Sequence, residues 1–186
     1  MINYADGWTE LQNRLKLVTE SSIELNKATQ AVYDIAQKTY QSLDATAQVY
    51  QRFADNADRL GLSQQKVAEL TETASKAVSL SGARAASAAM GLTQFGQALA
   101  AGQLRGQDLN SVIEQIPGLA QAIAEGMGIS MGDLKKKAQD GEMAIDKIIQ
   151  ALEKVKNSVD QKFASSVTTV SQGFTNLQSA MTRFVW

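Results

Sequence analysis

Apolar side chains in the first sixty residues recur at alternating intervals of three and four. Between Trp8 and Leu60 the chain contains neither proline nor glycine, and the spacing is typical of a helix seam packed against other helices. Two polar interruptions carry helix-start signals: Ser21 precedes Glu24 as in a capping box, and Ser42 begins a similar pattern. We therefore predict three short helices folded back on one another rather than one long rod.

Polar residues also recur on this seam (Ser22, Thr29, Thr39 and Thr46). Polar seam positions lower stability while limiting helix register and the choice of partner. Helix junctions or loosely packed edges would explain them equally well, so both interpretations remain open.

The next two helices are separated by clear boundary signals. Gly61 is placed as a C′ glycine, and Ser63 can cap a helix over 64–80. A further helix is predicted from about residue 83 to 101, and the stretch 85–104 carries no charge. Serine, threonine and glutamine interrupt that stretch, so a buried helix packed on several sides is favoured over a membrane span.

A proline divides the following helical pattern in two. Proline disfavours helical geometry in the residue before it, so a helix is predicted to end at Ile116 and the next to open at Pro117. Ser130 then begins a capping-box pattern for a short helix that ends near Asp140 and Gly141.

The end of the chain has the most regular apolar stripe. We expect a long C-terminal helix over about 144–186, extending toward a coiled-coil rod and into the remainder of a longer protein. The stripe either packs on the domain's own helices or forms a seam with neighbouring copies. Its members are Ile145, Ile149, Leu152, Val159, Phe163, Val167, Val170, Phe174, Leu177, Met181 and Phe184.

Composition supports an all-α fold and excludes several kinds of binding and catalytic site. Apolar residues make up 44% of the chain and charged residues 20%, as in globular proteins, and the single proline and few aromatics favour helices. The net charge of −1 indicates no bulk attraction to nucleic acid or anionic lipid. Cysteine and histidine are absent, which excludes disulfides and the commonest metal ligands and general bases. The N-terminal residues do not show the basic stretch and apolar core of a signal peptide. We also expect no cofactor or metal.

Four local motifs could carry chemistry, and each is better explained structurally. The glycines of 126–132 have the wrong spacing for a dinucleotide site and do not follow a strand. The lysines of 135–137 are typical of a solvated face. Asp55 and Asp58 lie among arginines, as in a surface charge lattice. Ser75 and Lys76 lack any sign of an oxyanion hole. We therefore expect no enzymatic activity.

The stretch 99–152 resembles the conserved N-terminal region of phage tail tape measure proteins. In that family a phrase ALASG-LRG-E-LNSV-EQ-P-LA-AIA-GLG is followed by GELRKL---GKL, and both have counterparts here. The resemblance continues upstream through ADGWTELQNRLKLVTES and downstream through TTVSQGFTNLQSAMTRF, and so covers nearly the whole chain. The residues carrying this family signature are Leu104, Arg105, Gly106, Leu109, Asn110, Ser111, Glu114, Gln115, Pro117, Gly126 and Gly128.

The resemblance implies a single helical domain over 1–186 that belongs to a protein setting tail length in a phage or prophage. It implies a place in the lumen of the virion tail, and in the host bacterial cytoplasm during assembly. The implied partners are further copies of the protein, the tail tube protein, tail assembly chaperones and tail tip proteins, without specific nucleic-acid binding. Ala144 departs from the family pattern, where a capping threonine or serine is common, and this weakens the expected helix start there.

Two alternative functions remain. A membrane-active bundle could insert the uncharged helix into lipid and help DNA through the cell envelope, and membrane contact during infection is also compatible with a tape measure protein. A stand-alone helical adaptor would instead end naturally near Trp186.

Overall fold

A computed structural model describes residues 4–166 and 178–183 of the chain. These residues contain no strand, apart from one isolated antiparallel bridge between Gln103 and Ala144. The all-α prediction is confirmed, and residues 178–183 are also helical. The helices of the first range are α1 (Tyr4–Lys16), α2 (Ser22–Thr39), α3 (Leu43–Asp55), α4 (Ala57–Leu60), α5 (Gln64–Ser79), α6 (Ala85–Ala100), α7 (Gly106–Gln115), α8 (Pro117–Met127), α9 (Met131–Gln139) and α10 (Ile145–Ala164).

The N-terminal seam divides where the serine signals predicted. The Ser21 hydroxyl accepts the backbone N–H of Glu24 at 3.1 Å, and the Ser42 hydroxyl accepts that of Ala45 at 3.0 Å. Each bond satisfies one of the N–H groups that a helix start leaves without an intrahelical acceptor. One boundary was not predicted: α3 ends before Asn56, and the short α4 follows it.

The threonines of the seam are buried inside this bundle. Thr29, Thr39 and Thr46 are each at most 4% exposed, and each hydroxyl donates to the backbone carbonyl four residues earlier at 2.7 Å. Their polar groups are therefore satisfied within their own helices. Ser22, by contrast, is exposed at the start of α2. The seam packs within the chain, as a folded-back arrangement requires.

The uncharged helix α6 is buried along one face. Leu92, Phe95 and Leu99 are at most 1% exposed, and the helix packs mainly on α3 and α7, while Met90 is 56% exposed. The prediction of a buried helix is confirmed for this face, but its first turn is exposed, so α6 is not enclosed on all sides. In the described part of the chain, no helix combines the length and apolar character needed to cross a membrane.

The later helix boundaries also follow the sequence signals. Proline occupies the first position of α8, and Ile116 before it is not helical, with φ −137° and ψ 62°. The Ser130 hydroxyl accepts the N–H of Asp133 at 3.1 Å and starts α9. A single buried hydrophobic cluster includes residues from Leu11 in α1 to Val159 in α10.

The long C-terminal helix expected over 144–186 is not confirmed. Helix α10 ends at Ala164, and Ser165 and Ser166 lie outside it. The Ser165 hydroxyl donates to the carbonyl of Gln161, and the Ser166 hydroxyl donates to that of Phe163. Such bonds compete with continuation of the helical ladder. Of the predicted stripe, Val167, Val170, Phe174, Leu177 and Phe184 lie outside the described residues.

Residues 178–183 lie against the N-terminal half of the bundle. The hydroxyl of Tyr33 in α2 donates to the carbonyl of Ser179 at 3.3 Å. The Arg183 guanidinium carbon lies 5.1 Å from the centre of the Tyr33 ring, and Trp8 contacts the same ring edge-on. In this segment at least, the C-terminal part of the chain packs on its own helices, although Met181 is 60% exposed.

A charge network fixes the second half of α10 on α5. The Lys76 side chain is 7% exposed, and its ammonium lies 2.8 Å from Asp160 Oδ1 and 3.3 Å from Glu72 Oε2. The same ammonium lies 5.5 Å from the centre of the Phe163 ring. Lys156 contacts the other oxygen of Asp160 at 2.7 Å. A charge so deeply buried needs these partners, because an unpaired one would be strongly destabilising.

The network changes the acidity of its members. Burial opposes ionisation of Asp160, but hydrogen bonds from Lys156 and Lys76 outweigh it, so the pKa of this carboxyl lies below its ordinary value. The hydrogen bond to Asp160 raises the pKa of Lys156 above its ordinary value. Since the carboxyl pKa is lowered by folding, its stabilising effect is present above the unfolded pKa of about 3.9 and disappears as pH falls through the folded value.

We predict that Asp160→Asn lowers the free energy of unfolding by about 2 kcal/mol at neutral pH, because buried Lys76 loses its shortest ion pair. The difference from the wild type should begin to shrink below about pH 4, where the unfolded carboxyl takes up its proton, and should vanish once the pH passes below the lowered pKa of the folded carboxyl. Urea unfolding followed by circular dichroism at several pH values measures both effects.

The matched control is Glu125→Gln. Its ion pair with Lys162 is exposed, with 46% and 58% of the two side chains accessible, so the expected loss is below about 0.5 kcal/mol. Equal losses for the two variants would contradict the structural role given to the buried network.

Candidate functional site

The predicted family signature falls on one continuous region of the fold. Residues 99–152 comprise the end of α6, the whole of α7, α8 and α9, and the start of α10. Helix α7 packs on α6, α8 and α9, while α8 packs on α10. The structure therefore brings the signature residues into one group of interlocking helices, although their side chains do not converge on a single pocket.

A short backbone pairing closes this group. The N–H of Leu104 donates to the carbonyl of Met143 at 2.8 Å, and the N–H of Ile145 donates to that of Gly102 at 3.1 Å. These bonds form the antiparallel bridge between Gln103 and Ala144. The connection between α6 and α7 is thereby tied to the connection between α9 and α10.

The apolar signature residues belong to the core. Leu104 and Leu109 are fully buried, and Ile116, which precedes the signature residue Pro117, is fully buried as well. A Cβ on Gly91 of α6 would lie 2.9 Å from a methyl carbon of Ile116, so α6 and the α7–α8 corner approach closely. Leu104, Leu109 and Pro117 therefore position helices rather than contact a ligand.

The two signature glycines near the end of α8 are needed for different reasons. A Cβ on Gly126 would overlap the carbonyl oxygen of Ala151 and lie 2.9 Å from the Ala151 Cα, so only glycine lets α8 and α10 approach this closely. Gly128 ends α8 in the left-handed conformation, with φ 68°. Space around Gly128 is open, so its requirement is conformational.

Sequence reasoning missed two residues of comparable importance. The N–H of Gly118 donates to the Ser81 hydroxyl at 2.8 Å, and a Cβ there would overlap the carbonyl oxygen of Ala77. Gly118 thus seats the start of α8 on the end of α5. The other is Lys76, examined in the sequence only as a partner for Ser75. Neither role has a sequence signal, because each depends on a helix distant in the chain.

The remaining signature residues reach the surface. Arg105, Asn110 and Glu114 are exposed, while Gly106, Ser111 and Gln115 are half-buried. The Arg105 N–H donates to the carboxylate of Asp108 at 3.2 Å at the start of α7. A Gly106 Cβ would lie 3.2 Å from Gln139 Cγ, so the start of α7 packs close to α9.

Between α7 and α9 the surface forms an open groove of about 520 Å³. Its lining exposes both polar and apolar atoms and includes the signature residues Arg105, Gly106 and Asn110, with Gln103, Gln107 and Gln139. No group of three or more acidic residues suited to a metal ion occurs in the described ranges. The arrangement offers hydrogen-bonding groups to a partner.

Comparison with known families identifies the family to which this chain belongs. A family model described as "Tape measure protein" matches residues 1–186, the full length of the chain. The chain belongs to the tape measure protein family. Neither the curated proteins nor the solved structures yield a match. As a member of this family, the chain is a structural component of a phage tail and acts together with other tail proteins.

In this tape measure domain, the close approach of α8 and α10 predicts a sharp difference between glycines. Gly126→Ala should lower the free energy of unfolding by about 3 kcal/mol, because the added methyl group overlaps backbone atoms of α10. Gly128→Ala should cost about 1 kcal/mol through its left-handed backbone. Denaturant unfolding measures both values.

Gly132→Ala provides the control, since the nearest atom to an added Cβ is the Ser130 hydroxyl oxygen at 3.8 Å. Within helix α9 this change should be neutral or stabilising by less than about 1 kcal/mol. If Gly126→Ala were equally harmless, the α8–α10 contact would not require glycine.

Proposed function

We propose that residues 1–186 form a single domain that lies at the N-terminal side of a longer tape measure protein. That protein sets tail length from within the lumen of the tail tube, after assembly in the host bacterial cytoplasm. The observation that carries this proposal is the match of the family model to the whole chain. The single buried cluster from α1 to α10 supports treating the matched residues as one domain.

The compactness of the bundle supports the view that this domain and the part of the protein that measures length are different regions. A helix rises about 1.5 Å per residue, so a single helix of this length would span about 280 Å. The longest helix described here, α10, has 20 residues and spans about 30 Å. The domain therefore adds little length for its mass, and we assign it the role of a compact head, with length measured by extended helix elsewhere.

The partners proposed for this head are the tail tip proteins, the tail assembly chaperones, the tube protein and further copies of the same protein. The surface side of the signature supports protein contacts, since Arg105, Asn110 and Glu114 are exposed. Leu104, Leu109, Pro117, Gly126 and Gly128 would keep that surface in place from below.

The proposal assigns no catalytic activity to the domain. The Ser75–Lys76 pair was one of the candidates for chemistry in the sequence, but the Lys76 ammonium is engaged by Asp160 and Glu72. An ammonium paired with two carboxylates is poorly suited to serve as a base. The membrane-active alternative has less support, because α6 packs on α3 and α7 and its residues Leu92, Phe95 and Leu99 are buried.

We predict that tail length responds to insertions outside the head but not to insertions within it. In a phage that carries this gene, 28 helix-forming codons placed in frame directly after Trp186 should lengthen the tail by about 40 Å. Electron micrographs of purified particles measure the mean tail length.

The matched control places 28 glycine and serine codons in the exposed turn at Gly82, between α5 and α6. This loop should leave tail length unchanged if tails form, because it projects sideways from the compact head. If the insertion after Trp186 left tail length unchanged, the proposal that chain length sets tail length would be wrong. If both insertions lengthened the tail equally, the proposal that residues 1–186 form a compact head would be wrong.

A further inference from the structure

The helical segment of residues 178–183, which we call the strap, lies on the bundle without joining its core. All six residues are exposed or half-buried. The apolar ones, Ala180 and Met181, belong neither to the buried hydrophobic cluster nor to the side chains packed against it. The Thr182 hydroxyl donates to the carbonyl of Gln178 at 2.9 Å, a bond that lies within the strap itself. Elements that bury few apolar groups open locally more easily than core helices do.

The strap contacts Tyr33 of α2 through two different groups of that side chain. The hydroxyl donates to the carbonyl of Ser179 at 3.3 Å, which is long for a bond between two oxygen atoms. The ring centre lies 5.1 Å from the guanidinium carbon of Arg183, within range of a cation–π contact. None of the ion pairs among the described residues includes Arg183. Its positive charge is therefore directed to an aromatic ring rather than to a carboxylate.

Beneath the strap lies a pair of aromatic side chains. Tyr33 is 6% exposed, and Trp8 of α1 is half-buried. The two rings meet edge-on, with 6.4 Å between their centres and 68° between their planes. Departure of the strap would free a hydroxyl donor and an aromatic face at the same place. Such a site suits a guanidinium next to a peptide carbonyl, and the strap presents both groups to it.

A comparison with α10 shows how differently the strap is held. The second half of α10 buries Val155 and Val159 at 2% exposure each, and its Asp160 pairs with buried Lys76. The six residues of the strap provide neither a buried apolar side chain nor an ion pair. Opening of the strap therefore does not require α10 to leave the bundle.

We propose that the strap is a detachable internal ligand of the site formed by Trp8 and Tyr33. It opens while the helices of the bundle stay folded, and its departure uncovers a site for a guanidinium beside a peptide carbonyl. The occupant of the closed site is the chain's own segment, 178–183. Opening does not depend on the length-setting role, because it is a property of the isolated chain.

The position of the strap gives its opening a consequence in the longer protein proposed above. A pull on the chain beyond residue 186 would act on the strap before it reached α10. The Trp8–Tyr33 site would then be uncovered while the bundle remained intact. This consequence alone rests on the proposed function.

The first test is amide hydrogen exchange in the full 186-residue chain, followed by nuclear magnetic resonance. The amide of Thr182 should exchange faster than that of Leu152 in α10, yet more slowly than in an unstructured peptide. Arg183→Gln should speed exchange at Thr182 about two- to fivefold through loss of the cation–π contact, and leave Leu152 unchanged. Tyr33→Phe should act in the same direction, because it removes the hydrogen bond to Ser179.

The second test supplies the segment as a separate molecule. An end-blocked peptide with the sequence of residues 178–183 should shift the backbone amide resonances of Trp8 and Tyr33 in the Arg183→Gln chain, at concentrations on the order of millimolar. It should bind the wild-type chain more weakly, since the intact strap competes for the same site. A peptide with glutamine in place of its arginine should bind neither chain.

Arg84→Gln is the matched control. Arg84 is also an exposed arginine, and the cation–π contacts of the described residues do not include it. Its replacement should change neither the exchange of the strap nor the binding of the peptide. Circular dichroism should show all variants folded.

The proposal fails on any of three outcomes. Exchange at Thr182 as slow as at Leu152 would make the strap an integral part of the fold. Exchange at Thr182 as fast as in a free peptide would show that the strap does not occupy the site. Absence of peptide binding to the Arg183→Gln chain would show that Trp8 and Tyr33 do not form a ligand site.

Discussion

The contact of Gly126 with Ala151 sets the spacing on which the C-terminal half of the bundle depends. Two helix backbones meet where any side chain larger than hydrogen would overlap a carbonyl group. Helix α10 packs most extensively on α8 and next on α5, so its position relative to α8 also fixes how it meets α5. The ion pair between Lys76 and Asp160 lies on the second of these surfaces. A small change at one glycine would therefore be transmitted to a buried charge.

The signature segment contains both buried and exposed residues, and the sequence alone does not show which are which. Leu104 and Leu109 are buried, and Gly126 and Gly128 satisfy steric and conformational requirements. Arg105 is exposed, although it is adjacent to Leu104 in sequence. In a structural protein, whose chemistry is contact with other proteins, the exposed members are the ones free to meet a partner. The buried members hold them in a fixed arrangement.

Most of the fold could be predicted because its boundaries are encoded locally. Ser21, Ser42, Ser63 and Ser130 each accept the backbone N–H three residues later, so a cap read from the sequence becomes a helix start in the structure. Pro117 acts equally locally. The end of α10 was not predicted, because apolar periodicity continues past Ala164 while serine hydroxyls bond the last carbonyls.

Contacts between distant parts of the chain were beyond the reach of sequence analysis for a different reason. The stripe at the chain end was compatible with either an oligomer seam or internal packing. Phe163 lies beside the ammonium of Lys76, a residue on α5, and residues 178–183 contact Tyr33 on α2. Periodicity states which side of a helix is apolar but not what covers it. The groove was invisible for the same reason, since α7 and α9 approach each other only in the folded chain.

The departure at Ala144 shows how the fold replaces a missing local signal. Ala144 occupies the capping position of α10 and has no side chain that could accept a hydrogen bond. The first N–H of the helix, that of Ile145, donates instead to the carbonyl of Gly102. One of the N–H groups that a helix start leaves open is thus satisfied by a distant loop. The same bond aligns Gln103 beside Ala144 and directs the N–H and C=O of Gln103 away from Ala144. The start of α10 and the link between the α6–α7 and α9–α10 connections therefore depend on one pairing, and a sequence that lacks the local cap relies on that pairing for both.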